Sequence, residues 1–149
     1  MKRLLSAFAA LAVSAALLVA LSESKRARLT VHAHDGCSNA TLMGNYGLSF
    51  SGFQQQNNKS LPFYGAGIAN FDGAGSMSAV FGDSINGIGS TGNTYTATYT
   101  VNSDCSISLT ATPASGGDNF VGAIVGNGAE ILTTDVTAFD TLNLNLKRQ

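Results

Sequence analysis

Glu130 is the only glutamate after residue 36, and it stands between Ala129 and Ile131-Leu132 in a candidate strand. Pointing inward, its carboxyl would be desolvated, its pKa would rise, and it would become a candidate general acid or base. Pointing outward, it is an ordinary surface charge, which is the commoner fate of a glutamate. The second set of candidates is aromatic. Tyr46 and Phe50, and likewise Tyr95 and Tyr99, recur at i and i+4. An even spacing puts both members of a pair on one face of a strand. Tyrosines offer an apolar wall with a polar tip, which suits a partly oxygenated ligand. The same four side chains would also serve as core filling, with their hydroxyls satisfied internally.

Other catalytic and binding motifs fail on inspection. The two histidines, His32 and His34, both lie in the N-terminal third beside Asp35, a poor setting for a metal site. With no histidine in the body of the chain, a Ser-His-Asp or Cys-His arrangement cannot be assembled there. Gly87-Ile88-Gly89-Ser90-Thr91-Gly92 fits the dinucleotide fingerprint, but it opens onto Asn93-Thr94-Tyr95-Thr96, a strand. Without a helix N-terminus to receive a pyrophosphate, the segment reads as a hairpin loop. Asp72-Gly73-Ala74-Gly75 and Asp83-Ser84-Ile85-Asn86-Gly87 lack the ligand ladder and terminal glutamate of an EF-hand loop, and turn chemistry explains both. No cofactor is expected, and no metal.

The elements that must position these residues divide near residue 36. Met1-Lys2-Arg3 precedes an apolar run from Leu4 to Leu21, broken only by Ser6 and Ser14. Basic start, apolar stretch and polar exit match a secretory signal, with cleavage after Ala33 or Ser22. The alternative is a retained anchor over residues 4–21, with Lys25, Arg26 and Arg28 as a stop-transfer segment. Either way residues 1–33 are a signal or anchor with its linker, and 34–149 form one exported domain, secreted or periplasmic.

From residue 36 onward only Lys59, Lys147 and Arg148 are basic, against seven acidic residues, which leaves a formal charge of −4. Nucleic acid and anionic lipid are therefore poor partners. A membrane enters only through a retained N-terminal anchor. Outside the cytoplasm Cys37 and Cys105 most simply pair with each other, and separate buried thiols are the alternative.

Through the exported region apolar and polar residues alternate with a period of two. Thr94, Thr96, Thr98 and Thr100 fall on one face, and Tyr95, Ala97, Tyr99 and Val101 on the other. One wet face and one packed face make a half-buried strand. Similar alternation occurs at Tyr46-Leu48-Phe50, Met77-Ala79-Phe81, Ile107-Leu109-Ala111 and Leu142-Leu144-Leu146, with further strands near 62–71, 119–126 and 129–134. Turn signals separate them at Asp72-Gly73, Asn86-Gly87, Gly92-Asn93, Gly116-Gly117 and Asn127-Gly128. The pattern implies roughly eight or nine short antiparallel strands in a meander. Gly65 and Gly67, on the face of Phe63 and Phe71, favour a tightly curved barrel over a sandwich.

The order Cys37-Ser38-Asn39-Ala40-Thr41-Leu42-Met43-Gly44-Asn45-Tyr46-Gly47, then Gly67-Ile68-Ala69-Asn70-Phe71-Asp72-Gly73-Ala74-Gly75, then Tyr99-Thr100-Val101-Asn102-Ser103-Asp104-Cys105, resembles small exported bacterial proteins related to the allene oxide cyclase barrel. The resemblance spans nearly the whole exported region. It implies an all-β, eight-stranded calycin-like barrel, a bond between Cys37 and Cys105, and a lumen suited to apolar ligands. No catalytic motif of the cyclases carries over.

Three functions remain: a barrel that binds a small apolar or amphipathic ligand, a cyclase or isomerase that shapes a substrate in a dry lumen, and a filled barrel serving as an interaction module. The first is expected, with Tyr46, Phe50, Tyr95 and Tyr99 lining the site. The third would act through exposed strands or the polar Gln54–Lys59 segment, read as a mobile loop tip. Interior volume separates them, because a cavity below roughly 100 Å³ would hold no ligand.

Overall fold

A computed structural model describes residues 36–138 and 140–149. The expected signal or anchor, its linker, and His32 and His34 lie outside the described residues. Eight antiparallel strands run in chain order: β1 (Met43–Gln56), β2 (Lys59–Asp72), β3 (Ser76–Ile85), β4 (Ile88–Val101), β5 (Ser106–Ala111), β6 (Asn119–Val125), β7 (Glu130–Asp135) and β8 (Thr141–Arg148). Each pairs with the next, and β8 returns to β1 from Tyr46↔Arg148 to Phe53↔Thr141, closing the barrel. Closure leaves no unpaired sheet edge, which a weakly charged domain would otherwise have to protect.

The alternation read from the sequence sets what faces inward. In β4 the tyrosine, alanine and valine positions point into the barrel and the threonines point to solvent. Curvature comes from inner-face glycines. A side chain at Gly65 would collide with the Phe50 ring that lies across it, and one at Gly67 would collide with Val80 and Phe81. The ring of Phe50 and the β3 chain at Val80–Phe81 thus occupy space that β2 vacates, which lets the wall draw inward.

Two expected loops are strand instead. Gln54–Gln56 pair with Lys59–Leu61 across a two-residue turn, in which Asn57 and Asn58 have φ of 53° and 61°. Successive left-handed residues match the twist of a hairpin, and asparagine tolerates that conformation better than most residues. Gly87–Gly92 likewise forms the turn and first residues of β4, with a bulge between Phe81 and Asp83 on β3, and no helix follows. Gly92-Asn93, expected as a turn, lies inside β4.

One end of the lumen is packed solid. Leu42, Tyr46, Phe71, Tyr99, Ile131 and Leu146 are fully or almost fully buried there. Burying each such side chain contributes about 1.5–3 kcal/mol. Tyr46 and Tyr99 each meet Phe71 edge-on with ring centroids 5.1 Å apart. A short 3₁₀ turn, Asn39–Thr41, lies over this end, and Cys37 is bonded to Cys105 with Cα atoms 4.9 Å apart. The bridge ties the segment entering β1 to the turn entering β5.

Candidate functional site: the open mouth of the barrel

The opposite end of the lumen is open. Phe50 from β1, Phe63 from β2, Phe81 from β3, Tyr95 from β4 and Phe120 from β6 turn their rings toward a cavity of about 330 Å³. Leu142 and Leu144 of β8 close one side, and Asp118 and Asp140 stand at its edge. Phe50 packs against Phe63 at 5.0 Å and Phe81 at 5.4 Å between centroids, so its ring is held from two sides. This volume lies at the lower end of the range for small-molecule pockets and well above a single water site.

The four aromatic residues expected to line a ligand site divide between the two ends. Phe50 and Tyr95 face the cavity; Tyr46 and Tyr99 belong to the plug. The Tyr46 hydroxyl donates to the Gly128 carbonyl at 2.8 Å. The Tyr99 hydroxyl lies 3.1 Å from the Leu42 carbonyl and 3.2 Å from that of Asn39. Burial, followed by the charge of Asp72, pushes the Tyr99 phenol up. Both hydroxyls serve as struts for the chain that covers this end.

Tyr95 differs. Its hydroxyl is buried and has no hydrogen-bond partner among the described residues. Burial first, then the nearby charges of Asp118 and Asp135, raise its pKa so that it stays protonated. A neutral phenol facing an apolar cavity can donate to, or accept from, a polar group brought by a ligand.

Glu130 lies on the outer face. Its neighbours Ile131, Thr133 and Asp135 are the inward residues of β7, while Glu130 pairs across the ladder with Lys147. Its Oε1 stands 3.6 Å from Lys147 Nζ. An exposed pair of this kind contributes little to stability and has no access to the lumen.

The mouth also holds three acids that motif reading passed over. Asp118 precedes β6, Asp135 ends β7 on its inner face, and Asp140 precedes β8. One carboxylate oxygen from each lies within 4.8 Å of the others. Burial, followed by repulsion from Asp135 and Asp140, raises the pKa of Asp118. The only sequence signal for this cluster was Asp135, which continues the inward alternation of Ile131 and Thr133.

A second, larger depression of about 620 Å³ runs over the outer wall, where Ser49, Ser51, Val121, Leu132, Asn143 and Asn145 meet. Its lining is largely main chain with small and amide side chains, and it lacks the converging rings of the lumen.

A search of solved structures finds a redesigned beta barrel, 15% identical, covering 74% of this chain and 94% of that one, with a TM-score of 0.47. No protein-family model and no curated protein matches the chain. Among the described residues, no helix is long and apolar enough to cross a membrane.

Proposed function

We propose that this protein is an exported, non-catalytic barrel that takes a small apolar or amphipathic ligand into the open end of its lumen. The observation that carries the reading is the 330 Å³ cavity walled by Phe50, Phe63, Phe81, Tyr95 and Phe120, with the Tyr95 hydroxyl unpartnered inside it. A ring-lined, concave space with a few convergent polar groups is the usual form of a small-molecule site. Export is supported by the basic-then-apolar start of the chain and by the Cys37–Cys105 bond, which persists outside the reducing cytoplasm. The resemblance to calycin-like bacterial barrels points the same way. Glu130 on the outer face removes one of the groups on which a cyclase reading depended.

A melting series with 1-decanol tests the reading. Decanol should raise the melting temperature with a saturable concentration dependence, as expected for a ligand that binds only the folded state. Leu142→Trp, which puts ring volume into the cavity, should abolish that rise. Equal stabilisation of the folded variant and the parent, or no effect on the parent, would remove the lumen as the binding site.

A further inference from the structure

The carboxylates at the mouth are unevenly satisfied. Asp135 is only 7% exposed; its Oδ1 accepts from the Thr137 amide at 2.7 Å, and its Oδ2 is buried without a partner. Asp140 uses Oδ1 to accept from the Gln55 amide at 2.8 Å. Among the described residues, no cation inside the barrel compensates. The single ion pair among the described residues is the outer-face Lys147–Glu130, and Arg148 binds Tyr46 at the plugged end. A buried carboxylate oxygen without a donor is costly, and a group that brings positive charge and N–H donors would offset that cost.

We propose that the ligand of the mouth cavity is an amphipathic primary amine, its ammonium seated on Asp118, Asp135 and Asp140 and its apolar body lying among the five rings. This rests on the lumen-binding reading above and names the chemistry of its ligand. An ammonium donating three hydrogen bonds of about 2.8 Å holds its acceptors about 4.6 Å apart. The three carboxylates offer oxygens within 4.8 Å of one another. The fourth bond of the nitrogen is then free to carry a chain into the cavity that Asp118 and Asp140 border. A divalent cation such as calcium would call for about six or more oxygens and would leave the aromatic cavity without a role.

The test compares decylammonium, 1-decanol and decanoate by calorimetric titration at neutral pH, with calcium chloride as a fourth titrant. Decylammonium should bind at least about tenfold more tightly than decanol, and decanoate more weakly than either. In Asp135→Asn, which keeps the acceptor for Thr137, the preference for ammonium over alcohol should fall toward one. Asp118→Asn, at a half-exposed position, gives the same readout should the first variant not fold. Equal affinities for ammonium and alcohol in the parent would overturn the amine assignment and leave the lumen-binding reading standing. No binding by any of the three chains would overturn both. Calcium that binds the parent and competes with decylammonium would replace the amine with a divalent cation.

Discussion

The Arg148 guanidinium grips the Tyr46 hydroxyl with two N–H groups, at 2.8 and 3.1 Å, while its Cζ lies 5.4 Å from the Tyr46 ring centroid. Since that hydroxyl also donates to Gly128, a residue of β1, the β6–β7 turn and the end of β8 are joined at one atom. Tyr46→Phe would leave the Gly128 carbonyl and the guanidinium short of a partner in a packed region. We expect a loss of about 1–3 kcal/mol in urea unfolding, with decanol binding at the far end retained.

The Cys37–Cys105 bond closes a loop with a sequence separation of 68. The chain-entropy model gives about 4 kcal/mol for a loop of that size. Replacing both cysteines with serine should lower unfolding stability by about that amount, lower the urea midpoint and steepen the slope, because the unfolded chain loses its cross-link and exposes more surface.

Tyr95 carries a hydroxyl that the unliganded barrel does not satisfy. Removing it should relieve a desolvation penalty and leave the ring packing intact. Tyr95→Phe is therefore expected to stabilise the free protein by about 1 kcal/mol in thermal unfolding and to weaken binding of ligands with a polar head.

The pH dependence follows from opposing groups of carboxylates. Asp118 has its native pKa above the ordinary 3.8, so the folded state holds its proton more tightly than the unfolded chain. Its contribution to stability is present at low pH and is lost as pH rises from 3.8 through the raised native value. Asp72 accepts from the amides of Ala74, Gly75 and Ser76, and Asp104 accepts from Ser106, which lowers both below 3.8. Their contribution is present above 3.8 and is lost as pH falls through the lowered values. Stability measured by urea unfolding should therefore rise on mild acidification from neutrality and fall again in stronger acid. Asp118→Asn should flatten the first limb and leave the second in place.

The strands and their inner faces were legible because a half-buried wall imposes its period directly on the residues, as Thr94 to Val101 displays. Closure was legible more indirectly, through Gly65 and Gly67. Two kinds of feature were hidden. The Asn57–Asn58 and Asn86–Gly87 turns are so tight that the polar segment beside each one remains in the ladder. The site itself depends on height along the barrel, which periodicity does not report. Four strand residues span about 13 Å, enough to place Tyr46 in the plug and Phe50 in the cavity despite their common face. Asp118, Asp135 and Asp140 converge only because the β5–β6 and β7–β8 connections meet at one rim, a relationship that no local spacing displays.

The most direct measurement is a carbon-edited NMR titration of the aromatic rings and the methyl groups with 1-decanol. Contacts from decanol protons to Phe50, Phe63, Phe81, Tyr95 and Phe120, with Tyr46, Phe71 and Tyr99 silent, are the predicted result. Contacts confined to Val121 and Leu132 on the outer wall, or none at any ring, would contradict a ligand site in the mouth of the barrel.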